Sequence, residues 1–569
     1  MIRHFLILGV IVMAAVGVRA QVQSPPAKVT SDTTGTISGQ VVNDSGQPLG
    51  DASLFVRPMN SVSAPRNITT DAEGNFLLNG LEPALYTITA TAPAYATDNA
   101  NPTYYRIGDS VRLELVRGGV ITGTVMTSAN EPVIGVRVRA VRIRDANGQI
   151  LRTPSFGSRE QSTDDRGVYR IYGLLSGTYL VNAGGGGFPS VFNPYDNDVP
   201  TYAPSSTRDN ASEITVKSGE EATADIRYRG EQGYSISGTV KVAGTSGTTL
   251  TLRLVGNPAP LAATFQQPGA RGFAFNGLAN GEYTVRAQEI ASAQSTTPGL
   301  GTSVTKRVTI KGGSVTGLEL IPTPLASISG RVVLEASKVP DCRGKRAPLF
   351  AEMMVQLQRP EKDAEDEDGI YVGLLGGIAS PDANGAFAWR NVRSGKYRFE
   401  PRFFARYWYL QSITMNTRGA LRNAKPQKSD AAATWTTVKS GDQLTNIIIT
   451  LAEGAASIRG RLAVAEGAVV QSGTNLYLIP AEPDKATDVL RFFVTGIASD
   501  GTFTLSNLPP GKYLALTQTN VEAQIATVAK LRESEASAAR TKLRRTAETR
   551  KTEIELKPCQ NVADYQLKQ

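Results

Sequence analysis

One short pattern occurs five times along this chain and constrains its fold more than any other feature. Each copy has an Ile, a Gly and a Val or Leu spaced by two, as in Ile328-Gly330-Val332. The other copies begin at Ile37, Ile121, Ile236 and Ile458. Because side chains alternate between the two faces of a strand, residues spaced by two point into one core. The pattern therefore predicts a recurring β-strand with one buried face.

A second pattern follows each first one, and it consists of an aromatic residue with apolar residues at +2, +5 and +10. In the fourth copy these residues are Phe387, Trp389, Val392 and Tyr397. The other copies begin at Phe76, Tyr169, Phe273 and Phe503. A Gly two residues before the Tyr suits a turn with positive φ in every copy except the first, which has Ala84. The spacing predicts two strands joined by a tight turn.

A third segment closes each copy with another alternating strand, such as Ile447, Ile449 and Leu451. Each copy has about 100 residues, which is enough for a small sandwich to bury its own core. The sequence thus predicts an all-β chain of five tandem Ig/transthyretin-like β-sandwich domains, with one helix inserted in the C-terminal domain. The predicted units are 31–116, 117–229, 230–322, 323–452 and 453–569.

These motifs also resemble a known family. The Gly-x-Val opening, the turn from Asp71 to Gly74 before Phe76, and the hairpin Leu174-x-x-Gly177-x-Tyr179 resemble the carboxypeptidase regulatory-like domain, a transthyretin-like and starch-binding-like β-sandwich. The resemblance implies the fold of nearly all the mature chain, but sandwiches are reused for unrelated tasks. In metallocarboxypeptidases this domain is an appendage to a separate zinc-binding catalytic domain, which has no counterpart in this sequence.

The first 20 residues have the pattern of a secretory signal. Phe5 to Val18 is apolar, Arg3 precedes it, and Val18-Arg19-Ala20 is a small-x-small ending. The stretch is too short to span a bilayer, and no later apolar stretch is long enough. We therefore predict a signal peptide at 1–20, a linker at 21–30 and an exported protein, periplasmic or extracellular, without a transmembrane span.

Composition excludes several classes of function. The single histidine, His4, lies within the signal, so the mature chain cannot use Ser-His-Asp or Cys-His catalysis or the usual zinc sites. The net charge of +9 is mild for 569 residues, and nucleic acid is not an expected partner of an exported chain. We expect a protein that is not an enzyme, with no catalytic residues, cofactor or metal.

The connection between the Tyr strand and the closing strand is long in every unit and differs most between units. It covers about residues 90–105, 183–213, 288–305, 401–436 and 517–551. Variable loops on a constant scaffold are where function is expected. In unit two the segment contains Phe188, Phe192, Tyr195 and Tyr202, whose rings predict a weak ligand-binding surface. The alternative is that these rings cover the open end of their own sandwich.

In unit five the variable segment predicts the helix, at about residues 521–551. A weak apolar stripe favours docking of this helix on its own domain, and contact with a partner helix or a membrane surface is the alternative. The stripe consists of Ile525, Val528, Leu531, Ala538 and Leu543.

The two cysteines, Cys342 and Cys559, predict a disulfide bond between units four and five. An even number of cysteines in an oxidising compartment favours pairing.

These features lead to three hypotheses about function. The principal one is an exported scaffold or binding protein of the cell envelope that recognises a polysaccharide or an envelope protein through its variable loops. The second is a structural spacer or protein-assembly module without a small ligand. The third is a set of accessory domains in a hydrolase system.

Overall fold

A computed structural model describes most of the chain. The described residues are 35–59, 64–97, 103–151, 159–185, 193–241, 247–255, 260–266, 269–290, 302–360, 377–417, 427–463, 470–519 and 527–568. The predicted signal peptide and linker, together with Phe188, Phe192 and Ile525, lie outside these ranges. Strands are given below by the predicted unit in which they lie, and the bounds of the units stay predictions.

Unit one forms two facing sheets. Its strands are β1 (Gly35–Asn43), β2 (Ser53–Pro58), β3 (Arg66–Thr69), β4 (Asn75–Leu81), β5 (Tyr86–Thr91), β6 (Tyr95–Ala96) and β7 (Ser110–Arg117). The sheet orders are β4-β1-β7-β6 and β3-β2-β5. Ile37, Val41, Phe76 and Tyr86 belong to the core between them.

Unit two repeats this arrangement. Its strands are β8 (Gly119–Met126), β9 (Arg137–Arg144), β10 (Arg159–Ser162), β11 (Val168–Leu174), β12 (Gly177–Ala183), β13 (Thr201–Tyr202), β14 (Ile214–Val216), β15 (Glu221–Thr223) and β16 (Ile226–Arg227). One sheet has the order β10-β9-β12-β13 with β14 beside β12, and the other has β11-β8-β15 with β16 beside β8. Two 3-10 helices, Pro194–Asn197 and Arg208–Asn210, lie in its variable segment.

Unit three has sheets β20-β17-β23 and β19-β18-β21-β22-β24. Its strands are β17 (Tyr234–Val240), β18 (Gly247–Leu254), β19 (Pro260–Gln266), β20 (Gly272–Leu278), β21 (Gly281–Ile290), β22 (Thr302–Ile310), β23 (Val315–Leu320) and β24 (Thr323–Pro324). The last strand lies just past the predicted end of the unit, so it connects unit three to unit four.

Unit four has sheets β28-β25-β33-β30-β31 and β27-β26-β29-β32. Its strands are β25 (Ala326–Glu335), β26 (Met353–Gln358), β27 (Ile378–Ala379), β28 (Ala386–Val392), β29 (Gly395–Phe403), β30 (Trp408–Thr417), β31 (Gln427–Asp430), β32 (Thr436–Val438) and β33 (Gln443–Glu453). The segment after the Tyr strand forms β30, which pairs with the closing strand and enlarges the first sheet. Two 3-10 helices, Pro340–Cys342 and Phe350–Glu352, precede β26.

Unit five has sheets β37-β34-β40 and β36-β35-β38-β39. Its strands are β34 (Ala456–Leu462), β35 (Thr474–Pro480), β36 (Phe493–Gly496), β37 (Thr502–Leu508), β38 (Gly511–Thr519), β39 (Glu553–Leu556) and β40 (Asn561–Leu567). Its helices are α1 (Val528–Leu531) and α2 (Ser537–Arg550), with 3-10 helices at Pro483–Lys485, Val489–Arg491 and Ser534–Ala536.

The Gly of each repeated strand lies opposite the repeated aromatic residue. A Cβ atom added to Gly330 would lie 2.6 Å from Cζ of Phe387, closer than real contacts allow. The absent side chain therefore makes room for the ring, the role expected of a Gly inside a strand. The opposed pairs are Gly39 with Phe76, Gly123 with Tyr169, Gly238 with Phe273, Gly330 with Phe387 and Gly460 with Phe503.

A β-bulge explains why the second apolar residue of the aromatic strand follows at +5. In unit four β28 continues as far as Val392, but its register with β25 shifts before that residue. Asn391, at +4, has a φ of 63°. The left-handed residue adds one position to the strand and returns the side chain at +5 to the core. The equivalent residues are Gly80, Gly173, Gly277 and Asn507, all with positive φ.

The Tyr at +10 closes the hairpin turn with its hydroxyl group. Tyr513 donates a hydrogen bond to the carbonyl oxygen of Pro509, 2.8 Å away. The other four tyrosines, Tyr86, Tyr179, Tyr283 and Tyr397, donate in the same way to the carbonyl four residues earlier, at 2.7 to 2.9 Å. A Phe could fill the same volume but could not make this bond, which is why each copy has a Tyr.

The predicted helical segment of unit five is present, as α1 and α2 within the predicted residues 521–551. It is interrupted between α1 and α2, where Glu533 is extended. Arg540 donates hydrogen bonds from Nη1 to the carbonyl oxygens of Leu531 and Glu533, so the interruption leaves these acceptors satisfied. No helix in the described part of the chain is both long enough and apolar enough to span a membrane.

The predicted docking of this segment on its own domain is confirmed. Leu531 and Ala547 are buried against Tyr477 and Phe492 of unit five. Val528 and Leu543 pack partly on the same cluster. Ala538 is exposed, because the interruption rotates α2 relative to the predicted stripe.

Candidate functional site

The two described rings of the predicted ligand-binding surface pack against unit two. Tyr202 in β13 is only 8% exposed. The ring of Tyr195 meets Tyr228 edge to face, with 5.6 Å between the centroids, and it contacts the core of the unit. The prediction of exposed rings is therefore wrong for Tyr202, and Tyr195 is half-buried. Burial of apolar ring area at the end of the sandwich is the physical reason, as in the alternative hypothesis.

The polar groups beside these rings are also engaged within unit two. Asp196 forms an ion pair with Arg137. Asp198 accepts a hydrogen bond of 2.8 Å from the hydroxyl of Tyr228, and Asn193 donates one of 3.0 Å to the carbonyl oxygen of Gly135. These contacts hold the loop in place and occupy acceptors that a sugar would need.

The same loop is attached to the beginning of unit three. The amide of Gly233 donates to the carbonyl oxygen of Asn197 at 2.9 Å, and the amide of Val199 donates to Glu231 at 2.8 Å. Asp198 also forms a β-bridge with Gln232. The variable segment of unit two is therefore part of the junction with the next unit.

Other variable segments make the same kind of contact. In unit one the carbonyl of Ala94 accepts from Gly118 at the start of unit two, at 2.8 Å. In unit three β22 pairs with the connecting strand β24. In unit four the carbonyls of Ala405 and Trp408 both accept from Nδ2 of Asn507 in unit five, each at 2.7 Å. Each of these segments thus lies at a junction between successive units.

Units four and five are joined covalently as well. Cys342 and Cys559 form a disulfide bond, with their Cα atoms 5.4 Å apart, in agreement with the sequence prediction. Val489 and Leu490 of unit five belong to the core cluster of unit four. The two units therefore share a hydrophobic interface that a disulfide closes.

The variable segment of unit five contacts unit four through two further side chains. Arg398 donates from Nη2 to the carbonyl oxygen of Ala529 at 2.7 Å, and its guanidinium lies 5.1 Å from the ring centroid of Trp435. The indole nitrogen of Trp435 donates to Glu535 at 3.1 Å. This segment therefore belongs to the same interface as the disulfide.

Unit one also contacts unit four, although two units separate them in the sequence. Arg106 donates from Nη1 to the carbonyl oxygen of Phe404 at 3.2 Å. The hydroxyl of Ser380 donates to the carbonyl oxygen of Met59 at 3.4 Å. The chain therefore returns on itself, a contact that the sequence did not predict.

A cleft lies where units one, four and five meet. Its volume is about 380 Å³, and it is lined by residues from all three units. The variable segments of these units contribute Tyr104, Arg402, Phe403, Phe404 and Arg532. Three segments that are distant in the sequence thus form one concave surface with aromatic and cationic walls.

Arg532 carries a largely buried positive charge at this cleft. Its Nε atom is buried and has no hydrogen-bond partner among the described residues. Burial lowers the pKa of this guanidinium, while the carboxylates of Glu400 and Asp488 act in the opposite direction and Arg398 adds to the lowering. Arg532 therefore brings a largely desolvated positive charge to the wall of the cleft.

Arg402 supplies a second guanidinium at the cleft. Its side chain is exposed, unlike that of Arg532. Burial raises the pKa of the Tyr104 hydroxyl, and the positive charge of Arg402 opposes part of this rise. The cleft therefore places one exposed cation and one partly buried cation beside aromatic rings.

Family comparison agrees with the repeated motifs. Residues 36–116 match the family model of the carboxypeptidase regulatory-like domain. Unit one is therefore similar to this domain. The later units repeat the opposed Gly and aromatic residues and the Tyr hydroxyl bond of unit one. No match was found among curated protein sequences.

Solved structures similar to the chain include a pilin and part of a collagen-binding protein, with low TM-scores. The minor pilin of Streptococcus agalactiae is 12% identical, with 34% of this chain and 94% of that chain covered and a TM-score of 0.19. The TIE protein of Bacillus anthracis is 12% identical, with 75% and 76% covered and a TM-score of 0.14. Two B repeat units of the collagen-binding protein of Staphylococcus aureus are 12% identical, with 74% and 100% covered and a TM-score of 0.12.

The two arginines of the cleft, Arg402 and Arg532, were missed in the sequence because no local motif marks them. Tyr104, Arg402 and Arg532 each lie in a predicted variable segment, which is the one signal that could have selected them. Their juxtaposition depends on the return of unit one to unit four, and strand periodicity carries no information about that contact.

Proposed function

We propose that the protein is an exported, non-enzymatic scaffold of the cell envelope whose variable segments fasten its units to one another. The observation that carries this proposal is the hydrogen bonding of these segments across the junctions, above all the two bonds from Asn507 to unit four. The disulfide between Cys342 and Cys559 supports it, because a covalent link suits a load-bearing assembly in an oxidising compartment.

This proposal favours the structural hypothesis over polysaccharide recognition by the loop of unit two. Tyr195 and Tyr202 pack on their own unit, and Asp196 and Asp198 have partners there. Removing either ring should therefore lower the stability of unit two. It should not change binding to a polysaccharide, because we expect no such binding by this loop in the wild type. The lack of histidine in the mature chain supports a role other than catalysis.

The scaffold proposal is tested by small-angle X-ray scattering on the exported chain. Because unit one contacts unit four, we expect the scattering profile to give a maximum dimension well below that of five units in a line. Asn507→Gly keeps the left-handed backbone at this position and removes the two bonds to unit four. We expect it to loosen the junction between units four and five, whereas the control Asn446→Gly, at an exposed residue with φ of 66°, should leave the profile unchanged.

Export is tested separately by cell fractionation and mass spectrometry of the mature N-terminus. We expect the protein in the periplasm or the medium, beginning at Gln21. A cytoplasmic protein that retains residues 1–20 would contradict the proposal.

A further inference from the structure

The cleft between units one, four and five has the features of a small-molecule site. Its volume of about 380 Å³ lies within the range of ligand pockets. It combines apolar and aromatic walls with a few polar groups, which is the usual composition of such sites. The scaffold function proposed above does not require a cleft of this kind.

The charges in the cleft select an anionic ligand. Arg532 has a buried Nε atom without a hydrogen-bond partner in the described part of the chain, and the exposed guanidinium of Arg402 also lines the cleft. A guanidinium matches the two oxygens of a carboxylate with two parallel hydrogen bonds. A carboxylate in the cleft would therefore lie between two residues that carry positive charge, with the exposed guanidinium of Arg402 open to pair with it.

The rings in the cleft select a flat or cyclic body for that ligand. Tyr104, Phe403 and Phe404 line it, and Phe404 is 37% exposed. Aromatic faces stack on the apolar faces of sugar rings, while sugar hydroxyls need polar partners at the edges. The hydroxyl of Tyr104 and the amide oxygen of Asn507, whose Nδ2 group already bonds to unit four, belong to residues that line the same cleft.

From these observations we infer that the cleft binds a carboxylate-bearing sugar, such as a unit of an acidic polysaccharide, with Arg532 and Arg402 on the carboxylate and the aromatic residues against the ring. This inference rests on the proposed scaffold, because three units must be assembled to form the cleft. It differs from recognition by the loop of unit two, since none of the residues of that loop lines the cleft.

Isothermal titration calorimetry of the full mature chain with an oligogalacturonate tests the inference. The methyl-esterified oligomer is the matched ligand, because it has the same rings without the charge. We expect the acid to bind and the ester to bind at least about tenfold more weakly, as for the loss of a charge-assisted hydrogen bond. Inorganic phosphate should not compete, because it offers nothing to the rings.

Variants identify the site. Arg532→Gln and Arg402→Gln should each weaken binding of the acid about tenfold. The matched controls are Arg331→Gln in unit four and Arg459→Gln in unit five, which remove an exposed charge outside the cleft. Because Arg402 is exposed, its substitution should leave folding intact even if that of Arg532 does not. Phe404→Ala should weaken binding of the acid as well.

Three results would overturn the inference: no binding of the acid by the wild-type chain, equal binding of acid and ester, or equal weakening by the control variants. Scattering on the same samples separates the two proposals. Absent binding with units one and four in contact overturns the ligand site alone. Absent binding with an extended profile overturns both the ligand site and the scaffold.

Discussion

Gly330 lies directly opposite Phe387 in the antiparallel pair of β25 and β28, and a Cβ atom at Gly330 would meet both the ring and the backbone of Ile447. We therefore expect Gly330→Ala to destabilise unit four by on the order of 1–3 kcal/mol through overpacking. Gly313→Ala is the matched control, since nothing lies within 4 Å of its added Cβ. Native-state hydrogen exchange on the full chain measures both, and unchanged protection of β25 in Gly330→Ala would contradict the role of this Gly.

The hydroxyl bond of the repeated Tyr predicts a second effect. Tyr513 is fully buried, and its hydroxyl donates to Pro509. Tyr513→Phe should cost about 1 kcal/mol, because the carbonyl of Pro509 loses its donor. The control is Tyr565→Phe, at a partly exposed Tyr of the same unit for which no hydroxyl bond is described. Equal protection from hydrogen exchange in the two variants would show that the hydroxyl bond does not stabilise the turn.

Alkaline pH should destabilise unit three. Burial, with a smaller contribution from Tyr202, raises the pKa of Tyr283 to about 12, above its ordinary value of 10.0. Between these values the native state binds more protons than the unfolded state, so the free energy of unfolding falls as pH rises. The contribution is complete below about pH 10 and is lost as pH rises through about 12.

Tyr283→Phe provides the test of this pH dependence. The variant should be less stable than the wild type near neutral pH, because it lacks the hydroxyl bond to Ala279, and its stability should fall less steeply in the alkaline range. Protection factors of unit three, which correct hydrogen exchange for the intrinsic rate at each pH, measure both slopes. Parallel slopes in the two proteins would show that Tyr283 does not titrate in this range.

The disulfide should stabilise units four and five together. It joins residues separated by 217 positions, and the chain-entropy model gives about 5 kcal/mol for a loop of this length. The variant with Cys342→Ser and Cys559→Ser should unfold at a lower temperature in differential scanning calorimetry, with the change confined to these units. Two alkylatable thiols in the native, non-reduced wild-type protein would contradict the bond.

The strands and their cores could be predicted from the sequence because they depend on local periodicity. The alternation around Ile328 and Phe387 indicates which faces are buried, and the pairing of Cys342 with Cys559 follows from their number and compartment. The bulge at Asn391 was harder to predict, because the equivalent residue is Gly in units one to three and Asn in units four and five. Only its left-handed φ shows what these two residue types share.

The candidate site could not be predicted in the same way. Met59 and Ser380 are 321 residues apart, and no alternation within either segment specifies their contact. The aromatic residues of unit two were interpreted as exposed because composition does not distinguish a binding surface from the covered end of a sandwich. Tyr202 shows the second outcome, since its ring is buried.

The contact between units one and four is required both by the expected scattering profile of the scaffold and by the cleft, and chemical cross-linking tests it most directly. Ser380 and Met59 lie in hydrogen-bonding contact, so Met59→Cys with Ser380→Cys should react with a short bis-maleimide within one chain. Peptide mapping at low protein concentration should find the two positions linked and the native bond between Cys342 and Cys559 retained. If both new thiols are labelled but no link forms within the chain, unit one does not contact unit four, and both the return of the chain on itself and the cleft are contradicted.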